Sequence, residues 1–133
     1  MDSETVKGTI LVVDDEPEVR KLVGAMLSRD GYKVIVSDSG EPAVKTFSKQ
    51  ASTVDLLLTD VVSPGMSGPV LADQLIEMKP GLRVLFMSGF DSTQVVQRYV
   101  LERGFALLIK PFTMDQLRDK VQEVMASPSQ APA

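Results

Sequence analysis

Residues 9–17 read Thr9-Ile10-Leu11-Val12-Val13-Asp14-Asp15-Glu16-Pro17, five β-branched or aliphatic residues followed by three acids and a proline. A short, continuously apolar run suits a strand covered by helices on both faces. Pro17 suits a first helical turn, and Val19, Leu22, Val23, Met26 and Leu27 recur at three- and four-residue steps before Gly31 stops the pattern. The stretch predicts one βα unit with acids at the turn between its two elements.

The same alternation continues along the chain. Lys33 to Ser37 is a second short strand, and Pro42, Ala43, Val44 and Phe47 begin a second helix. Asp55 to Thr59 is a third strand that ends on Asp60, followed by a loop carrying the Pro64-Gly65 turn signal. A helix from about Pro69 to Met78 buries Leu71, Ala72, Leu75 and Met78 and stops at Pro80-Gly81. Arg83 to Met87 is the fourth strand, closing on Ser88-Gly89, and a helix capped by Asp91 or Ser92 reaches Arg103. Phe105 to Ile109 is the fifth strand. Lys110-Pro111 follows, and Thr113-Met114-Asp115-Gln116 is a capping-box pattern opening a last helix that turns Leu117, Val121, Val124 and Met125 inward. Alternating strands and helices imply right-handed crossovers, an α/β fold and a parallel sheet with helices on both faces.

Size and composition agree with this layout. The 133 residues are close to the roughly 150 expected of one domain, which predicts a single core. A net charge of -4 without a basic run opposes binding to nucleic acid or anionic lipid. No apolar run is long enough for a membrane span, and the absence of Cys is compatible with a reducing cytoplasm, the expected location. The chain has neither Cys nor His, so chemistry has to run on carboxylates, hydroxyls and lysine. Residues 1–8 read as a polar leader and 127–133 as a Pro-rich disordered tail, leaving 9–126 as the domain.

Ligands of open α/β sheets bind at the carboxyl ends of the strands. Asp14 and Asp15 follow the first strand, Asp60 the third, Ser88 the fourth and Lys110 the fifth, so all five should converge on that edge. Crowded carboxylates raise one another's pKa unless a cation joins them. An all-oxygen cluster suits Mg²⁺ or Mn²⁺ rather than zinc or copper. Lys110 and Ser88 add a point charge and a hydroxyl that can hold phosphoryl oxygens. Helix capping explains one acid of the Asp14-Asp15 pair but not this convergence; a loop acid, a solvated lysine and a turn hydroxyl are the simpler readings of Asp60, Lys110 and Ser88 taken singly.

LVVDDEPEVR, LLLTDVVSPGMSG, VLFMSG and IKPF stand in order, with 45 residues from Asp15 to Asp60, 28 to Ser88 and 22 more to Lys110. In this the chain resembles the receiver domains of two-component response regulators. The GTILVVDDE, VLFMSGF and KPFT segments resemble the terminal receivers of hybrid histidine kinases. The resemblance implies a flavodoxin-like sheet of strand order 2-1-3-4-5. It implies Asp60 as the phosphoacceptor, charged from a partner's phosphohistidine or a small acyl phosphate. Asp15 then matches the direct metal ligand, Asp14 the acid acting through water, and the Val62 carbonyl the backbone ligand. Ser88 matches the hydroxyl that turns toward the phosphoryl group, and Lys110 the lysine that pairs with it through a bond to Pro111 that is usually cis. Implied partners are a histidine kinase or phosphotransfer protein, with Mg²⁺ or Mn²⁺ as cofactor. The chain would not be an enzyme beyond slow autodephosphorylation, and would be a monomer or weak dimer.

The sequence departs from the family pattern in three places. Leu107 stands where members often carry Tyr or Phe, so the output is expected from a smaller shift around Phe90 to Tyr99 on the face of the last two helices and fifth strand. Ser63 replaces the common apolar residue before Pro64. Val62 and Phe90 flank the site with apolar groups that cannot orient a hydrolytic water, so slow dephosphorylation is expected. Two alternatives are weighed against the receiver reading. A phosphohydrolase of the haloacid-dehalogenase type needs a second acid two residues after the nucleophile, where Val62 stands. A degenerate receiver would bind partners without phosphorylation, and Leu107 is the feature that favours it. Without an output module in the sequence, the chain reads as a single-domain regulator or as one receiver of a longer protein.

Overall fold

A computed structural model describes residues 7–62, 65–89, 98 and 100–126. Strands β1 (Thr9–Val13), β2 (Lys33–Ser37), β3 (Leu56–Asp60), β4 (Arg83–Ser88) and β5 (Ala106–Ile109) alternate with helices α1 (Pro17–Arg29), α2 (Gly40–Lys49), α3 (Gly68–Met78) and, after β5, α4 (Met114–Ala126). The five strands form one parallel sheet in the order β2-β1-β3-β4-β5, the flavodoxin-like arrangement that the family resemblance implies. Between β4 and β5, residues 100–102 are helical; most of the helix expected from Asp91 or Ser92 lies outside the described residues, as does the tail from 127.

Burial follows the two-residue period of the strands. Leu11 and Val13 of β1, Leu57 of β3 and Val84 and Phe86 of β4 join Ala43 and Phe47 of α2 and Leu71 and Leu75 of α3 on one face. Ile10 and Val12, Leu56 and Leu58, and Leu85 and Met87 join Val23 and Leu27 of α1 and Leu117, Val121 and Val124 of α4 on the other. β1 is buried along its whole length, as its unbroken apolar run predicts. Phe47 and Phe86 have no exposed surface, so truncating either to Ala costs about 3–5 kcal/mol.

Local signals act where they stand in the sequence. Thr113 and Gln116 form the predicted capping box, the Thr113 amide donating to Gln116 Oε1 at 2.8 Å and the Gln116 amide to Thr113 Oγ1 at 3.0 Å. Gly31, just past α1, has φ +100°, a conformation that glycine adopts without a Cβ penalty. The backbone ladder begins ahead of β1, since the Lys33 amide donates to Gly8 O and the Lys7 amide to Gly31 O, both at 2.9 Å. No helix among the described residues is long and apolar enough to cross a membrane.

Two residues of the predicted buried stripes are exposed instead. Leu22 is 57% exposed and Met78 41%. Leu22 sits one 100° step from Val23, at the flank of the α1 stripe, and Met78 is the last residue of α3. β2 is an edge strand, and its Val36 is also exposed because the α1 residue above it is Gly24, which offers no side chain.

Candidate functional site

Asp14 leaves β1, Asp60 ends β3, Ser88 ends β4 and Lys110 follows β5, so the parallel sheet delivers them to one edge. Carboxylate oxygens of Asp14, Asp15 and Asp60 all lie within 4.8 Å of one another. Asp14 is fully buried, whereas Asp15 is exposed. The Asp14 side chain is engaged at both ends: Oδ1 accepts the Glu16 amide at 2.9 Å, and Oδ2 receives Lys110 Nζ at 3.0 Å. Asp15 is left facing outward, the more accessible acid for an incoming ion.

Lys110 Nζ is shared. It lies 3.0 Å from Asp60 Oδ2 as well as from Asp14 Oδ2, and 3.6 Å from Glu16 Oε1. Its peptide bond to Pro111 is cis, and its amide donates to Ser88 O at 2.8 Å, tying the lysine's backbone to the end of β4. Ser88 is fully buried. Val62 N approaches Asp60 Oδ1 at 3.4 Å, while the Val62 side chain is 57% exposed.

The electrostatics follow from burial. Desolvation raises the Asp60 carboxyl above its ordinary range, and the nearby Asp14 charge adds to this, outweighing the hydrogen bond and charge of Lys110 that lower it. Burial alone would lower the Lys110 ammonium, but its hydrogen bonds to Asp60 and Asp14 and their charges hold it above the ordinary lysine range. The site thus holds the three clustered aspartates, with Glu16 at its edge, against one lysine ammonium, and the carboxylates offer only oxygen ligands. That donor set fits a hard, oxygen-seeking dication such as Mg²⁺.

Two neighbours of the acids were not legible as site residues. Arg20 Nη1 donates to the Asp14 carbonyl at 2.7 Å, because side chains in a first helical turn lean back toward the N-terminus. Glu16 is the N-cap of α1, without a side-chain cap hydrogen bond, and its carboxylate turns to Lys110 instead. The acid before a helical proline and an arginine three residues after it are the signals that could have marked both.

At the position of the usual aromatic, Leu107 pairs in register with Phe86 and packs, partly buried, against the α2–α3 face. Phe105 is 5% exposed and meets Phe86 edge to face, ring centroids 5.4 Å apart. The Arg103 guanidinium stands 5.7 Å over the Phe105 ring and bonds Asp73 of α3 at 2.8 Å. Phe90 and the segment to residue 97, on which the expected output shift falls, lie outside the described residues, as do Ser63 and Pro64.

Beside the acids, Val19, Leu22 and Val23 of α1 with Pro111 and Phe112 line an open apolar groove that has Lys110 in its wall.

The sequence and the fold are matched in known proteins. The response regulator receiver domain family matches residues 10–122. The chain is 34% identical over 115 residues to the response regulator receiver protein CpdR of Brucella abortus, covering 86% of this chain and 92% of that protein. It is 32% identical over 117 residues to the sensor kinase CckA of the same species, covering 88% of this chain. There the chain spans only 12% of the relative's length. The crystal structure of the receiver domain from the hybrid histidine kinase CckA superposes with a TM-score of 0.75 at 30% identity, covering 89% of this chain and 99% of that one. With the family's fold, its motifs and the convergence of its acids and lysine all present, the chain belongs to the response regulator receiver domains of two-component signalling.

Proposed function

We propose that this receiver accepts a phosphoryl group on Asp60 from a partner's phosphohistidine or from a small acyl phosphate, and that it acts as a phosphorylation-controlled relay in the cytoplasm. The observation that carries this reading is the shared ammonium of Lys110, 3.0 Å from both Asp60 Oδ2 and Asp14 Oδ2. A carboxylate oxygen of Asp60 attacks phosphorus; the new O–P bond forms as the P–N bond of the phosphohistidine, or the P–O bond of the acyl phosphate, breaks. The leaving group takes the electron pair of the broken bond. Lys110 stands where it can neutralise charge on the transferred phosphoryl oxygens, and the buried Ser88 hydroxyl is the group that would turn to them.

Asp15, Asp60 and the Val62 carbonyl would hold Mg²⁺ directly, with Asp14 acting through water. The ion supplies charge neutralisation for the phosphoryl oxygens. The exposed apolar side chain of Val62 offers no hydrogen bond to a hydrolytic water, which supports slow loss of the aspartyl phosphate.

A phosphodonor protein has to cover the rim of the site to reach Asp60. The apolar groove between α1 and Phe112 lies on that rim, with Lys110 in its wall, and is the surface on which the donor would bury apolar side chains. Borohydride trapping after acetyl phosphate treatment, followed by peptide mapping, tests the acceptor assignment. Label on the peptide containing Asp60 is expected; label confined to another peptide would contradict it.

A further inference from the structure

Gly68, the first residue of α3, lies against the peptide of Asp60 itself. A Cβ added to Gly68 would stand 2.2 Å from the Asp60 carbonyl oxygen, 3.1 Å from its carbonyl carbon and 3.1 Å from Val61 Cα. All three are backbone atoms, which no change of rotamer can move aside. Gly68 has no positive φ, so its backbone conformation is open to any residue. The lack of a side chain is the property the fold uses here.

The same carbonyl is held from a second side. Thr59, buried on β3, donates its hydroxyl to Asp60 O at 3.1 Å. The Gly68 amide in turn donates to Val61 O at 3.0 Å. The peptide that joins Asp60 to Val61 is therefore clamped between the start of α3 and a hydroxyl of its own strand.

We propose that Gly68 and Thr59 are positioning residues for phosphoryl transfer, fixing the Asp60–Val61 peptide and, through it, both the acceptor carboxylate and the Val62 carbonyl. The proposal rests on the phosphoacceptor reading above. Gly68→Ala has to separate the start of α3 and the Asp60 carbonyl by about 1 Å, and a displacement of that size at the acceptor costs on the order of 100-fold in a reaction that depends on positioning. Helix propensity alone predicts a gain in stability from this change and no loss of rate, because Ala is a better helix former than Gly.

The test measures Mg²⁺ affinity by calorimetry without any phosphodonor, and the initial rate of labelling by acetyl phosphate from intact mass. Wild type is compared with Gly68→Ala, Thr59→Val, Leu75→Ala and Gly65→Asn. Leu75 is a buried residue of the same helix and reports on a general loss of stability. Gly65 precedes α3, with φ +78° and nothing within 4 Å of an added Cβ, a conformation Asn tolerates. Gly68→Ala should label at least about tenfold more slowly and bind Mg²⁺ several-fold more weakly, and Thr59→Val should move both quantities the same way by less. Leu75→Ala should lower the melting temperature while keeping the Mg²⁺ affinity, and Gly65→Asn should keep both affinity and rate. Wild-type affinity and rate in Gly68→Ala would overturn the proposal. Should that variant fail to fold, wild-type affinity and rate in Thr59→Val would do so. A wild-type chain that neither binds Mg²⁺ nor takes up a phosphoryl group would overturn the phosphoacceptor reading itself.

Discussion

Lys110 Nζ stands 3.0 Å from Asp60 Oδ2 across a sequence separation of 50 residues. The contact exists because β5 is the second neighbour of β3 in a parallel sheet, so both chains leave the same edge. One ammonium holds a carboxylate that burial and Asp14 would otherwise protonate more readily, and it is the only lysine with these contacts among the described residues.

Replacing this lysine separates charge on the phosphoryl group from charge on the acids. Lys110→Met should slow labelling by acetyl phosphate about tenfold or more, by loss of a positioned positive group. The same change makes the site more negative, so calorimetry should show tighter Mg²⁺ binding. A parallel loss of rate and Mg²⁺ affinity would contradict the assigned role.

Mg²⁺ should stabilise the fold by binding only the native acid cluster. At 100 times its dissociation constant, the linkage amounts to about 2.7 kcal/mol, read as a shift of the urea unfolding midpoint. Asp15→Asn should abolish most of that shift. Retention of the full shift in this variant would remove Asp15 from the ligand set.

Leu22 keeps 57% of its surface exposed on the groove beside Lys110. Leu22→Asp should slow transfer from a phosphorylated histidine phosphotransfer domain about tenfold, the effect of losing roughly 1.4 kcal/mol of contact energy. Labelling by acetyl phosphate, which needs no protein surface, should be unchanged. Equal loss with both donors would place the effect in the site rather than in docking.

Tyr32 contributes to the alkaline limb of stability. Burial, and next the charge of Asp30, raise its phenol above the ordinary value of 10.0. The folded chain therefore holds that proton more tightly than the unfolded chain. This contribution is complete below about pH 10 and is lost as pH rises through the folded value. Urea unfolding at about pH 9 and 11 should show a fall in stability that Tyr32→Phe reduces. An undiminished fall in the variant would assign it to other groups.

The architecture was legible because the signals that set it are local. An unbroken apolar run, a proline at the first turn, a capping box at Thr113 and acids at strand ends each state a preference without tertiary context. The convergence of Asp14, Asp15, Asp60 and Lys110 was legible for the same reason, since a strand's carboxyl end is a position in sequence as well as in space. Exposure at Leu22, Val36 and Met78 was not legible, because it depends on what the fold sets against each side chain, as Gly24 is set against Val36. The clamp of Gly68 on Asp60 O was hidden for a related reason: a glycine opening a helix gives no sign of the backbone packed against it. Arg20 reads as a surface residue of α1 until its helix is set beside the Asp14 carbonyl.

The most direct test of the account is intact mass after incubation with acetyl phosphate and Mg²⁺, for wild type, for Asp60→Asn and for wild type with the metal chelated. The account predicts one phosphoryl adduct on wild type, none on Asp60→Asn and none after chelation. An adduct that persists in Asp60→Asn, or no adduct on wild type under conditions that label another receiver and with a phosphohistidine donor, would contradict it.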